Sequence, residues 1–183
     1  MWVSSVKDSA WFVAIGGFKV KTIKDARALV KAVADAASPH PAQIVDAAKI
    51  AGRDHLFLAA INAVKSTDTG VAVSKNITVE ALLYASAQDQ ITKALEMLGI
   101  TAKSTTVALM VFAPSKAEAE NAYRKAAAHL GAEDDSVLNL DEGKAAALKK
   151  TYSVGEEELK AAGGASALGG LIVERGALLS LRR

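Results

Sequence analysis

Residues 105–130, TTVALMVFAPSKAEAENAYRKAAAHL, place a strand directly before a helix, and this pair indicates the fold class. The segment 105–112 is rich in β-branched and large apolar residues, and Pro114 prevents the strand from continuing. Ser115 is a good helix cap, and Glu118 three residues later completes a capping-box pattern. We therefore predict a strand followed by a helix that fills the rest of the stretch.

Upstream of this stretch the sequence predicts further strands and helices. A compact apolar run ends at Gly16 and Gly17, which we interpret as a turn after a buried strand. Asp25 is suited to cap a helix that stops before Pro39, because a residue before proline avoids helical angles. The second strand is rich in alanine, which leaves a helix as an alternative. The predicted elements are a strand at 10–15, a helix at 25–37, a strand at 43–50 and a helix at 54–65.

Residues 80–99, EALLYASAQDQITKALEMLG, read as one amphipathic helix. Apolar residues recur every three or four positions from Leu83 through Ile91 and Leu95 to Leu98, which places them on one face. The middle of the stretch, residues 86–90, is short and polar. It is either the wet side of a helix or a surface that binds a polar partner.

The C-terminal part of the chain predicts short helices at about 141–151 and 154–162, and then glycine pairs at 163–164 and 169–170 that indicate a flexible joint. The final segment, 171–181, predicts a short helix with apolar residues around most of its circumference. Such a segment must be buried in its own domain or against another protein. The sequence alone leaves these two alternatives about equal.

Together these elements predict an α+β fold that is mainly helical, with about seven or eight helices around a small sheet of about three or four strands. We expect a single domain over residues 1–183. Its C-terminal helical segment, residues 163–183, is expected to be able to dock separately.

Composition excludes several classes of site. The chain has no cysteine, which removes disulfides, thiolate metal sites and cysteine nucleophiles. The formal net charge is +2, from 22 basic and 20 acidic residues, so only a local cluster could indicate a nucleic-acid partner. No apolar run is long enough to span a bilayer and the N-terminus lacks a signal-peptide pattern, so we expect a cytoplasmic protein.

Enzyme motifs are missing from the sequence. It contains no GxxxxGK[ST] phosphate loop, GxSxG elbow or HExxH zinc helix. His40, His55 and His129 are scattered, and the adjacent Asp134 and Asp135 are more typical of a solvated turn than of an acid–base pair. We expect no catalytic residues, no metal and no cofactor.

Two lines of polar residues are better candidates for a functional site, namely a surface that binds nucleic acid. Lysine can bind phosphate, while Asn and His can contact bases. From spacing alone, a plain solvent face is the simpler interpretation. A competing hypothesis is a small-molecule enzyme or sensor with a groove near residues 86–90. The lines consist of His55, Asn62 and Ser66 with Lys65 alongside, and of Ser86, Gln90 and Lys93.

Several stretches, in this order, resemble a known family. They are HLFLAAINAVKS at 55–66, ITVEALLYASAQDQITKALEMLGI at 77–100, TTVALMVF at 105–112, DDSVLNL at 134–140 and the apolar C-terminal segment. The set resembles the small kinase-binding subunit of the archaeal KEOPS complex, a family that includes the p53-related-protein-kinase binding protein. The resemblance runs from about residue 40 to the end and, more loosely, includes the N-terminal strand. Its strongest piece comprises Glu80, Leu82, Leu83, Ala85, Ser86, Gln90 and Ile91.

The resemblance implies a non-enzymatic adaptor that binds the atypical kinase/ATPase subunit of KEOPS and helps to hold tRNA, including its 3′ CCA end. KEOPS makes N6-threonylcarbamoyladenosine at position 37 of tRNA. The implied tRNA contacts are Lys49, Arg53, His55, Asn62, Lys65, Ser86, Gln90 and Lys93. The implied kinase contacts are Leu171, Ile172, Arg175, Leu178 and Leu179.

One position departs from the family pattern. The family commonly has an arginine just before its Gln-Ile pair, where this chain has Asp89. A carboxylate repels phosphate rather than attracting it. Either the RNA contact is made by other basic residues (Lys49, Arg53, Lys65 or Lys93), or the affinity for tRNA is reduced.

Overall fold

A computed structural model describes residues 1–181, so the last two positions of the predicted segment 163–183 lie outside the described residues. The centre of the fold is an antiparallel sheet with strand order β1-β2-β4-β3, and a short β5 also pairs with β2. The strands are β1 (Trp2–Ser5), β2 (Phe12–Lys19), β3 (Ala42–Asp46), β4 (Thr106–Ala113) and β5 (Ala132–Glu133).

Eight α-helices surround the sheet within residues 1–181, and the predicted α+β, mainly helical fold is confirmed. Short 3-10 turns follow β3, precede α6 and flank the last helix. None of these helices combines the length and the apolarity needed to cross a membrane. The helices are α1 (Ala26–Ala37), α2 (Arg53–Asp68), α3 (Ile77–Ser86), α4 (Ile91–Leu98), α5 (Lys116–Ala127), α6 (Glu142–Thr151), α7 (Glu156–Ala161) and α8 (Leu168–Ala177).

Strand β4 is buried on both faces of the sheet, which explains its continuous apolar sequence. Successive side chains point to opposite faces. Leu109 and Val111 pack into a core with α1 and α5, whereas Met110 and Phe112 pack into a core with α2, α3 and α8. The sheet therefore separates two helical layers, which we call the α1/α5 face and the α2/α3 face.

The predicted turn at Gly16 and Gly17 is wrong. Both glycines lie inside β2, where they pair with Leu109 and Ala108 of β4. A Cβ atom on Gly16 would clash with the Tyr123 side chain, and one on Gly17 would clash with residues of the acidic turn after β5. The glycines are needed because neighbouring segments approach the strand closely, not because the chain reverses there.

The predicted single helix at 80–99 is also wrong, because the chain breaks into α3 and α4. Ala87 takes the left-handed conformation (φ 53°, ψ 32°), and the Gln88 N–H donates to the Leu83 carbonyl at 3.1 Å. This hydrogen bond closes the end of α3. Every residue of α3 except Val79 is buried, so the helix has no wet side.

The C-terminal segment forms α8 and a 3-10 turn, Leu178–Leu181. The glycine pair at 169–170 lies inside α8, so the flexible joint predicted there is wrong. Gly163 and Gly164 do form a turn, with φ of 110° and 86°. Helix α8 packs against α2 and α3, with its side chains in the core on the α2/α3 face.

Gly176 lies where α8 approaches α3 closely. A Cβ atom at this position would overlap the backbone carbonyl oxygen of Tyr84. We expect Gly176→Ala to lower the free energy of unfolding by about 1–3 kcal/mol, because neither backbone can yield cheaply. Chemical denaturation would measure the change.

Gly170→Ala is the matched control, because Gly170 lies in the same helix and a Cβ there would meet nothing within 4 Å. It should raise the free energy of unfolding by up to about 1 kcal/mol through helix propensity. Equal effects of the two substitutions would contradict the close approach of α8 to α3.

Candidate partner-binding surfaces

Helices α2 and α3 lie antiparallel, which determines which predicted site residues come together. His55, at the start of α2, contacts the carbonyl of Ala85 at the end of α3. Ser66, near the end of α2, donates its hydroxyl to a carboxylate oxygen of Glu80 at 3.3 Å, near the start of α3. Residues at the start of α2 are therefore neighbours of the turn that follows α3.

His55 is a core residue, only 3% exposed, and the expectation that it belongs to a surface line is wrong. Its Nδ1 accepts a hydrogen bond from the Ala51 N–H at 3.1 Å. Its Nε2 lies 2.8 Å from the Ala85 carbonyl oxygen, so Nε2 must carry the proton of a neutral ring. Burial lowers the pKa of His55 to about 4, and the charge of Lys144 acts in the same direction.

Tyr152, which the sequence reading missed, completes this contact. Its hydroxyl lies 3.1 Å from the carbonyl oxygens of both Lys49 and Ala85, and its ring meets His55 edge-on. Burial raises the pKa of the Tyr152 hydroxyl, which keeps its proton for these acceptors. The Ala85 carbonyl therefore joins α2, α3 and the segment after α6.

The serines of both polar lines are also buried, so their assignment to a surface is wrong. Ser86 is fully buried and donates to the Leu83 carbonyl at 3.1 Å. Ser66 donates to the Ala63 carbonyl and to Glu80, whose other carboxylate oxygen accepts the Ser74 N–H at 3.0 Å. Spacing identified these residues as polar, but it could not show that their partners lie inside the protein.

The remaining predicted tRNA contacts lie at or near the surface but do not form one compact site. Arg53 and Lys65 are exposed at opposite ends of α2, about 18 Å apart along the helix axis. Asn62, half-buried, lies between them. The hydroxyl of Tyr152 places the Lys49 backbone close to the end of α3, where the exposed Gln90 and Lys93 also lie. We call Lys49, Arg53, Gln90 and Lys93 the α3-end group.

Asp89 is exposed in the turn between α3 and α4, next in sequence to Gln90 of the α3-end group. The next residues along the chain include two large apolar side chains, Ile91 (40% exposed) and Leu95 (48% exposed). The sequence predicted them on one face with Leu98, but Leu98 lies with Ala94 on the inner face of α4, whereas Ile91 and Leu95 do not. The break at Ala87 rotates the apolar stripe and leaves these two side chains outside.

Only part of the predicted kinase-contact set is accessible. Ile172 (0% exposed) and Leu179 (1% exposed) are buried in the chain's own core, so they are not free to contact a partner. Leu171 is half-buried against the same core. The guanidinium of Arg175 donates to both carboxylate oxygens of Glu158, at 2.7 and 2.8 Å.

Leu178 is the member of the set that is exposed, at 39%, and Leu181 just beyond it is exposed at 79%. Because α8 packs in the core through one side, the large apolar side chains exposed in this segment are confined to its C-terminal end. The structure therefore supports burial in its own domain for most of this segment, while Leu178 and Leu181 in its last turn stay exposed.

The competing small-molecule site near residues 86–90 loses its basis in the structure. Ser86 is inaccessible. The three grooves found elsewhere, of about 960, 250 and 510 Å³, are not lined by any of these residues. Within the described part of the chain, no group of three or more His, Asp or Glu side chains is placed to hold a metal ion.

Comparison with known proteins gives two matches. The family described as "Kinase binding protein CGI-121" matches residues 20–179. A relative described as "Regulatory protein Cgi121", from Methanocaldococcus jannaschii, is 34% identical over 113 residues, which cover 61% of this chain and 70% of the relative.

The buried neutral ring of His55 predicts a pH-dependent stability. Its folded pKa of about 4 lies below the unfolded value of 6.5, so only the unfolded chain gains a proton between these values. The stability contributed by the neutral ring is complete above pH 6.5 and falls as the pH drops toward 4. From this group alone, we expect the free energy of unfolding to fall by about 2 kcal/mol between pH 7 and pH 5.

Denaturation of the wild type and of His55→Gln at both pH values isolates this contribution. The variant should be less stable at pH 7, yet its loss between pH 7 and pH 5 should be smaller than that of the wild type. His129→Gln, which changes an exposed histidine, should keep the wild-type difference. A His55→Gln variant that loses as much as the wild type would contradict the neutral buried ring.

Proposed function

The chain belongs to the CGI-121 family of kinase-binding proteins, and we propose that it is the non-catalytic adaptor subunit of a KEOPS complex. In this role it binds the atypical kinase/ATPase subunit. It also helps to recruit tRNA, including the 3′ CCA end, for N6-threonylcarbamoyladenosine modification at position 37.

The observation that carries the proposal is the extent of the family match. Residues 20–179 include β3, β4, β5 and every α-helix in the described residues, so the match covers both helical layers. The description of the archaeal relative as a regulatory protein supports a regulatory rather than a catalytic role.

The kinase-binding part of the proposal is supported by exposed apolar side chains. Leu178 lies at the accessible end of α8, next to residues that anchor the helix in the core. Ile91 and Leu95 on α4 provide a second exposed apolar pair. Large apolar side chains at the surface, flanked by polar ones, are typical of protein interfaces. We assign the kinase contact to Leu178, with the half-exposed Leu171 and Arg175 beside it.

The tRNA-binding part is supported by the α3-end group. Its three basic residues, Lys49, Arg53 and Lys93, can bind phosphates, and Gln90 can hydrogen-bond a base edge. His55 and Ser86 are buried, so they position this surface rather than contact RNA. Asp89 is the neighbour of Gln90 in sequence, and its charge opposes phosphate binding.

Leu178→Glu tests the kinase contact. The exposed position should tolerate the change, while a carboxylate placed in an apolar interface should weaken binding to the recombinant kinase subunit by at least about tenfold. Isothermal titration calorimetry would give the Kd, and circular dichroism would check the fold.

Val73→Glu is the control, because Val73 is 53% exposed in the loop after α2. It should leave the Kd of the kinase complex unchanged. If Leu178→Glu also leaves it unchanged, the C-terminal docking site is excluded. If the wild-type chain does not bind the kinase at all, the proposed function fails.

Asp89→Arg tests the RNA surface. The change replaces a carboxylate, which repels phosphate, with a guanidinium, which attracts it. It should strengthen tRNA binding by about three- to tenfold at low salt, and the gain should shrink as salt is raised. Fluorescence anisotropy with labelled tRNA, with and without its CCA end, would measure both the affinity and the dependence on CCA.

Asp35→Arg makes the same change in net charge on α1, across the sheet, and should have little effect. Equal gains for the two variants would indicate nonspecific attraction and would argue against the α3-end group. Binding that does not depend on the CCA end would remove that part of the proposal and leave the kinase contact standing.

A further inference from the structure

The largest of the three grooves lies on the opposite side of the sheet from the surfaces discussed so far. It has a volume of about 960 Å³ and is formed by the segment 19–25 that joins β2 to α1, by one side of α1, and by residues 129–132 after α5. Ile23, Leu29 and Leu130 in its lining also belong to the core on the α1/α5 face. The groove is therefore separated by the sheet from α3, α4 and α8.

The floor of the groove is aliphatic. Val20, Ile23, Leu29 and Leu130 line it, and the small side chains of α1 leave it open. The part of the lining described in the structure includes no Phe, Tyr or Trp. Such a floor can accept aliphatic side chains of a partner, whereas stacking of nucleic-acid bases needs aromatic or guanidinium planes.

The rim of the groove is cationic. Lys19, Lys21 and Lys24 occur within six residues of chain, and all three are exposed. Lys19 is 2.6 Å from a carboxylate oxygen of Asp134, but neither Lys21 nor Lys24 has an ion-pair partner among residues 1–181.

The acidic residue in the lining does not neutralise this rim fully. The carboxylate of Asp25 accepts the Ala28 N–H at 3.0 Å as the cap of α1, so its position is set by the helix. His129 lies in the segment 129–132, which lines the other side of the groove. The groove thus presents an apolar floor beside three lysines, of which Lys21 and Lys24 form no ion pair in the described residues.

We propose that this groove binds an acidic, aliphatic segment of a partner protein, with leucine- or valine-like side chains on the floor and carboxylates at Lys21 and Lys24. The proposal is independent of the kinase and tRNA contacts, since the groove lies on the other face of the sheet. The chain would then carry the kinase and tRNA on the α2/α3 face and a further partner on the α1/α5 face.

The test uses a labelled peptide of glutamates with a leucine at every third position, about twelve residues long. We expect the full chain to bind it, and salt to weaken the binding. The double variant Lys21→Glu/Lys24→Glu should bind at least about tenfold more weakly. Amide shifts in NMR spectra should be confined to residues 19–32 and 129–132.

Two further peptides and one further variant separate charge from shape. A peptide with serine in place of leucine should bind weakly, as should one with lysine in place of glutamate. Ala32→Phe fills the floor without changing the charge and should also weaken binding of the glutamate–leucine peptide. The kinase complex, measured in parallel, should keep its Kd in all of these variants.

Other outcomes would overturn the proposal. If the serine peptide binds as well as the leucine peptide, the floor has no role and the rim is only a charged surface. If a single-stranded RNA of similar length displaces the peptide and shifts the same amides, the groove is an RNA site. If sedimentation shows that the chain dimerises and that Lys21→Glu/Lys24→Glu prevents this, the occupant is a second copy.

Discussion

The enclosure of α3 is the constraint on which the rest of the structure depends. A helix that is buried at nine of its ten positions cannot leave polar groups to water, so each one needs a partner inside the protein. Ser86 bonds within its own helix, and Glu80 accepts hydrogen bonds from Ser66 and Ser74. The carbonyl of Ala85 is held by His55 and Tyr152. Helices α2 and α8 and the segment after α6 cover α3, and α2 and the segment after α6 also supply hydrogen-bond partners to its buried polar groups.

Most of the fold could be predicted from the sequence, because its elements have clear local signals. Asp25 and Ser115 mark helix starts, and both side chains accept the expected backbone N–H. The strand before Pro114 is apolar from Val107 to Ala113 because both of its faces are covered. These are local rules, which do not depend on what the rest of the chain does.

The candidate site could be predicted less well, because exposure is a tertiary property. His55, Ser66 and Ser86 have the composition of a wet helix face, yet their partners come from segments distant in sequence. The same reasoning failed at Gly16, where a close neighbour and not a turn requires the glycine. The left-handed Ala87 had no local signal, since alanine is not a residue that favours this conformation. It left Ile91 and Leu95 exposed, whereas Leu98 stayed buried.

Ala87 also bears on how a partner could be recognised at the end of α3. A glycine at this position would allow the turn many backbone conformations, both in the unfolded chain and in the folded protein. Alanine allows fewer. The Gln88 N–H donates to the Leu83 carbonyl, and the buried side chains of His55 and Tyr152 donate to the Ala85 carbonyl. These hydrogen bonds hold the last turn of α3. The conformational entropy of this corner is therefore lost when the chain folds. A molecule that binds Asp89 and Gln90 does not have to order them again, so more of its contact energy remains as affinity.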